Sequence, residues 1–298
     1  MKYLSYYDVN VKKIQKTPCF TLTKVFAMTE YLIASTRNYL EGLEELYKPI
    51  GKKKRLYLFE SKNSSTEKSE DLKSLYKAGG FIGIKPRSFS PKALFLDMDG
   101  TSIHEESIDF FLESLHLGEE LSNITEDALQ GKISFTTSYF SRIKLLKGVH
   151  KSKLIESAKK LTLQTGIKDL SIWFHKRNLP VFIISGGLSF FCSEIATLLS
   201  AKAWHSNHPG LDGDFLTGES VGILVDTLEK KTWFQNTCEN LRIPESDTVM
   251  IGDGANDRAI LSAAGLPVGF RPRTILQDLI DVYNDTGDHS LLIDFLEA

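Results

Sequence analysis

Cysteine is scarce in this chain of 298 residues: Cys19, Cys192 and Cys238 are the only three, odd in number and far apart. That excludes a disulfide-stapled scaffold and a clustered zinc site, and it reads as free thiols in a reducing compartment. No apolar run reaches the roughly 18 residues of a membrane span. The opening Met1-Lys-Tyr-Leu-Ser-Tyr-Tyr-Asp-Val-Asn10 holds no continuous apolar segment of the signal-peptide kind. Neither sign of charge dominates: the formal net charge is -2, which removes any general electrostatic case for nucleic acid or an anionic membrane as partner. There is no internal repeat, and the one biased stretch, Glu60 to Asp71, reads as a polar surface loop. What remains is 42% hydrophobic and 25% charged, an ordinary globular composition that can build a sizeable core in one large domain or two. A cytoplasmic protein is the expectation.

Apolar periodicity divides the chain. Residues 20–26 and 55–59 read as strands, 30–47 as an amphipathic helix, 71–77 as a second helix and 81–84 as a third strand. Lys85-Pro-Arg-Ser-Phe-Ser-Pro91 then reads as a linker, so residues 1–88 form a small α+β module. Residues 107–161 hold no convincing strand and suggest helices at 119–130, 134–147 and 151–161. From residue 168 helices and strands alternate: helix 168–178, strand 181–184, a helix from about 188, a hairpin turn at Leu211-Asp-Gly-Asp214, helix 229–241 and strand 248–251. The expected fold for 89–298 is therefore α/β, a doubly wound, mainly parallel sheet. A helical cap at about 105–167, inserted after the first core strand, would lie over the carboxyl edge of that sheet.

The most informative stretch is Lys92-Ala-Leu-Phe-Leu-Asp97-Met-Asp99-Gly100-Thr101, an apolar strand that stops at two carboxylates spaced i, i+2. Parallel sheets keep their ligands at that end, and an acid pair there can hold a divalent cation, act as a nucleophile, or divide acid and base duties. A calcium loop is excluded, because Ser102 and Ile108 stand where its turn glycine and bidentate Glu belong. Ile183-Ile-Ser185-Gly186-Gly187 ends a second strand with a hydroxyl and glycines that suit a phosphate oxygen. Gly252-Asp253-Gly254-Ala255-Asn256-Asp257 ends a third; it nearly spells a dinucleotide fingerprint, but Asp257 occupies the last glycine place and opposes a pyrophosphate. Lys230 and Lys231 open the helix before that strand.

Taken together, the acid pair, Ser-Gly-Gly, lysine and Gly-Asp-Gly-x-Asn-Asp occur in the order of the four motifs of the haloacid dehalogenase-like phosphatases, which residues 91–270 resemble. In the expected cap, Glu105-Glu106-Ser-Ile-Asp109, Gly131-Lys-Ile-Ser-Phe135 and Ser141-Arg142-Ile-Lys-Leu-Leu-Lys-Gly148 resemble the phosphoserine phosphatase branch. The resemblance implies that Asp97 is a nucleophile forming an aspartyl-phosphate and Asp99 the general acid and then base. It implies Mg²⁺ held by Asp97, the Asp99 carbonyl and Asp253. Ser185, Gly186, Gly187 and Lys230 would bind phosphate, with Lys230 preferred over Lys231 by its separation from Asp253. Asp257 would support Lys230, and Asn256 would reach phosphate or substrate. Glu106 and Arg142 would bind the ammonium and carboxylate of phosphoserine, as paired charges and a bidentate guanidinium can. The implied activity is a Mg²⁺-dependent phosphomonoesterase converting O-phospho-L-serine to L-serine in serine biosynthesis. The alternatives are a phosphatase or phosphotransferase acting on another small metabolite, and a catalytically silent amino-acid sensor. Residues 1–88 resemble the regulatory-type extension of some bacterial phosphoserine phosphatases, so a homodimer through that module, amino-acid sensing and structural support are all open.

Overall fold

A computed structural model describes residues 31–36, 48–61, 79–129 and 132–298. The strands of the described N-terminal part are β1 (Tyr31–Ser35), β2 (Lys48–Lys53), β3 (Leu56–Ser61) and β4 (Phe81–Pro86). β5 (Ala93–Leu96) follows, and then four helices: α1 (Ser107–Ser114), α2 (Gly118–Leu129), α3 (Phe135–Leu145) and α4 (Lys151–Ala158). α5 (Ile167–His175) leads into β6 (Val181–Leu188), α6 (Ser189–Leu198), the hairpin β7 (Ala203–Asp212) and β8 (Phe215–Val221), and α7 (Thr227–Leu241). The chain closes with β9 (Thr248–Gly252), the short α8 (Arg258–Leu261), β10 (Leu266–Phe270), β11 (Val282–Asn284) and α9 (Ser290–Leu296).

All these strands join one sheet in the order β2-β3-β1-β4-β11-β10-β9-β5-β6-β7-β8. Its centre, from β11 to β7, is parallel throughout, as a doubly wound fold requires, and antiparallel strands flank it on both sides. Alternate residues of β5 serve opposite faces: Leu94 and Leu96 enter one core with Phe111, Leu170, Phe191 and Phe295, while Ala93 and Phe95 enter another with Phe182, Phe234 and Ile260. A strand covered on both faces must be apolar at every position, which explains why β5, β6 and β9 were legible as continuous runs. β5 lies between β9 and β6, so the strand order reverses there and opens a crevice at the carboxyl ends.

The amphipathic helix expected over 30–47 is overturned at its start, where Tyr31–Ser35 is a strand paired with β3 and β4. Residues 37–47, the strand expected at 20–26, the helix at 71–77 and Cys19 lie outside the described residues. Cys192 and Cys238 are free and buried. The linker expected from Lys85 starts later, since Lys85 and Pro86 still belong to β4. β4 pairs antiparallel with β11, so the N-terminal strands extend the sheet of the rest of the chain. Among the described residues no helix is long and apolar enough to cross a membrane.

Candidate active site

β5 hands the chain directly to Asp97, whose N–H still bonds the Ile251 carbonyl of β9 at 3.0 Å. The turn that follows is knitted on one acceptor: the Met98 carbonyl takes the N–H groups of Thr101, Ser102 and Ile103 at 3.3, 2.8 and 3.1 Å. The Ser102 hydroxyl donates back to the Asp97 carbonyl at 2.6 Å. Gly100 has φ +67°, and a Cβ there would stand 2.9 Å from Asp253 Oδ2, so both handedness and crowding call for glycine. Asp99 Oδ1 accepts the Ser107 N–H at 2.9 Å where α1 begins.

The end of β6 brings Ser185, fully buried, whose Oγ accepts the Gly187 N–H at 2.9 Å and keeps its own proton for another acceptor. Gly187 passes so close that a Cβ would lie 3.0 Å from Asp99 Oδ2. Asn207 on β7 ties this loop to the entry of α7, donating to the Gly186 carbonyl at 2.8 Å and accepting the Val225 N–H at 2.7 Å.

α7 starts on an Asp226 cap that accepts the Leu228 and Glu229 N–H groups, and one residue later Lys230 turns inward. Its ammonium, wholly buried, donates to Asp97 Oδ1 at 2.7 Å and to Asp257 Oδ1 at 2.8 Å. Burial opposes the charged ammonium, but the Asp257 and Asp97 carboxylates outweigh it and hold Lys230 above its ordinary value. Asp97 is pushed well up by burial and by the charge of Asp257, with Lys230 working against both. Asp99 is raised to about 7, first by desolvation and then by Glu106. Asp253 is likewise raised to about 7 by desolvation, Asp257 and Glu106.

Carboxylate oxygens of Asp97, Asp253 and Asp257 lie within 4.8 Å of one another. Those of Asp257 are already engaged, Oδ1 by Lys230 and Oδ2 by the Asp253 and Gly254 N–H groups. Asp97 and Asp253 are therefore the pair with oxygens to give. Burial, and then their mutual repulsion, disfavour the charged forms of these acids, which a bound cation would offset, and an oxygen-only donor set of this kind fits Mg²⁺.

A cavity of about 410 Å³ opens above these residues, with Asp97, Asp99, Asp253, Gly186, Gly187 and Asn256 on the core side. Glu106 and Arg142 line it from the cap. They do not pair with each other. Arg142 grips Asp109 with two bonds, Nε to Oδ1 at 2.6 Å and Nη2 to Oδ2 at 3.1 Å, and donates also to Ser138 and Thr125. Glu106, 61% exposed, faces Arg273, Nη2 standing 3.9 Å from Oε1. Lys230, Ser185 and Asp257 lie behind the cavity wall, so the core end of the site is backed by buried groups while its far end is solvated.

Sequence reasoning gave no role to Arg273 or Asn207, and quoted Asp109 only as part of the cap stretch. Arg273 had a usable signal: Leu266–Phe270 is one more apolar strand, and Arg-Pro-Arg273 follows its carboxyl end as the other motifs follow theirs. Asp109 and Asn207 act through side-chain and backbone partners distant in the chain, which spacing does not reveal.

A haloacid dehalogenase-like hydrolase family model matches residues 91–265. The phosphoserine phosphatase of Haemophilus influenzae is 32% identical over 222 residues, covering 73% of this chain and 71% of that one. A solved phospho-aspartyl intermediate analogue of a phosphoserine phosphatase superposes with a TM-score of 0.64 at 27% identity, over 69% of this chain and 99% of the other. A HAD family hydrolase of Salmonella enterica subsp. enterica serovar Typhi shares the fold over 90% of this chain and 99% of its own, with a TM-score of 0.81 at 23% identity. With its sheet, its strand-end acids and its buried lysine, the chain belongs to the haloacid dehalogenase-like hydrolases, as a member of the phosphoserine phosphatase type.

Proposed function

We propose that the protein is a Mg²⁺-dependent phosphomonoesterase that hydrolyses O-phospho-L-serine to L-serine and phosphate, in serine biosynthesis. The observation that carries this reading is the two-ended cavity: buried Asp97, fixed by Lys230, at one end, and Glu106 with Arg142 at the other. A phosphate dianion suits the first end, and an ammonium and a carboxylate suit the second.

In the first half-reaction a carboxylate oxygen of Asp97, which Lys230 holds in place, attacks phosphorus. The ester P–O bond breaks as the aspartyl-phosphate forms, and Asp99 passes its proton to the departing serine alkoxide. A carboxyl raised to about 7 carries that proton for a large share of the time near neutrality, and it can take one back afterwards. In the second half-reaction Asp99 accepts a proton from water, the hydroxide attacks phosphorus, and Asp97 leaves as the free carboxylate. Ser185, the Gly186 amide, Lys230 and Asn256 hold phosphate oxygens, Gly187 lets the loop pass close to them, and Asp257 keeps Lys230 aimed. Asp97, the Asp99 carbonyl and Asp253 would hold Mg²⁺, which when bound would supply the positive charge that keeps Asp97 and Asp253 ionised and offsets the phosphate.

The chain then divides by role into residues 1–88 and a phosphatase part, 89–298, with the cap at about 105–167. A homodimer through the N-terminal part and a cytoplasmic site of action complete the reading; light scattering on the full chain measures the first. The substrate assignment is tested by Glu106→Ala and Arg142→Ala. Both variants should lose far more activity on phosphoserine than on an aryl phosphate, and equal losses on the two would refute it.

A further inference from the structure

The turn between Asp97 and α1 is tied inwardly by three N–H groups on the Met98 carbonyl, yet its outward carbonyls need partners from elsewhere. Gln164 serves three of them, Nε2 donating to Gly100 O at 3.3 Å and Ile103 O at 3.2 Å and its backbone N–H to Ser102 O at 2.9 Å. The fourth, Thr101 O, accepts from His289 Nε2 at 2.9 Å. A carbonyl can only accept, so Nε2 carries the proton. The His289 ring is 1% exposed and lies flat on Phe270, centroids 3.8 Å apart and planes at 10°, while its backbone N–H bonds the Thr165 carbonyl at 2.9 Å. Neither ring nor main chain has room to drift. The residue it holds is well placed to matter: the Thr101 hydroxyl lies 3.4 Å from Asp253 Oδ1, so Thr101 touches the acid of β9 while its chain carries those of β5. Beside it, Asp288 is held by Arg55 of the β2–β3 turn at 3.0 Å, which brings the N-terminal strands to the same joint.

We infer that His289 is a positioning residue for the phosphoryl-transfer site: its Nε2–H bond to the Thr101 carbonyl keeps Asp99 and Asp253 in register with Asp97. It touches no reacting atom. The inference rests on the reading of Asp97 and Asp99 as the reacting pair, but not on which ester is the substrate. Displacements near 1 Å at a reacting centre cost on the order of 10²-fold in rate, so loss of one such tether is large enough to read.

The test compares His289→Phe, which keeps a stacking ring and loses the donor, with His289→Gln, whose amide nitrogen falls near the place of Nε2. Phe270→Leu, which weakens the packing and leaves the donor, is the structural control. Turnover of an aryl phosphate is followed beside the thermal midpoint, so a protein that rejects phosphoserine still reports. His289→Phe should lower kcat about tenfold or more with KM little changed, and His289→Gln should recover kcat to within about threefold of the wild type. Phe270→Leu should lower the midpoint and spare kcat. If His289→Phe and Phe270→Leu lower the midpoint alike and both spare kcat, or if His289→Gln is as slow as His289→Phe, the residue is only structural and the inference falls. Should His289→Phe not fold, His289→Asn, whose shorter amide cannot reach Thr101, takes its place. Should the wild type turn over no phosphate ester, calorimetric Mg²⁺ affinity decides: weakened by about threefold or more in the donor-free variant it supports the inference, and unchanged it overturns it.

Discussion

The two ends of the cavity are built differently. At the phosphate end every acid sits at or just past the end of a central strand, and Lys230, wholly buried, bridges two of them. At the far end Glu106 and Arg273 stand 61% and 64% exposed, on a cap helix start and a surface loop, with 3.9 Å between them. In the proposed function the contrast separates chemistry from selectivity. Moving a buried strand end means disturbing two cores, whereas changing a rim charge alters what is recognised at little structural cost.

Breaking the phosphate end should have the larger consequences. Asp97→Asn removes the nucleophile and should lower kcat on any phosphate ester by on the order of 10⁴-fold or more in steady-state assays; substantial residual turnover would sink the assignment. Lys230→Ala leaves Asp97 and Asp257 facing each other without their shared cation, and should destabilise the fold by about 3–5 kcal/mol in urea titration as well as abolish activity. Acid should weaken this end through His289, whose pKa is pushed down to about 4 by burial. Between pH 6.5 and about 4 the unfolded chain takes up a proton that the folded one refuses. Stability is therefore complete above the usual histidine value and falls as pH drops through that window, by roughly 3 kcal/mol, and His289→Phe should flatten the profile. The rim should respond least and most selectively. Glu106→Ala should cost about 10- to 100-fold in kcat/KM on phosphoserine and little on an aryl phosphate, the size of a lost charged hydrogen bond, with the melting temperature unchanged.

The same contrast governs what could be read from the chain. Asp97, Ser185 and Asp253 announced themselves because a strand buried on both faces is an unbroken apolar run, and the chemistry begins where the run stops. Tyr31–Ser35 misled because five residues with buried Leu32, Ile33 and Ala34 satisfy a helical and an extended pattern equally. β2 was missed because Lys-Pro-Ile-Gly-Lys-Lys looks like a turn; it is an edge strand with a register shift between Pro49 and Gly51, where such residues are tolerated. Arg142 was legible as a cap residue, but its grip on Asp109 was not, because two helices must first be packed side by side.

The aromatic seal beneath the catalytic strand has one more consequence. Phe95, two residues before Asp97, stacks on Phe182 at 4.7 Å and meets the edge of Phe234 at 4.7 Å. With parallel neighbours on both sides and this packing below, the amide protons of β5 have no local opening through which to exchange with solvent. They should exchange only when the whole molecule unfolds, while those around Glu106 exchange early. Heat inactivation of phosphate chemistry should then follow the global melting curve, and selectivity for the leaving group should fade at temperatures where the nucleophile is still intact.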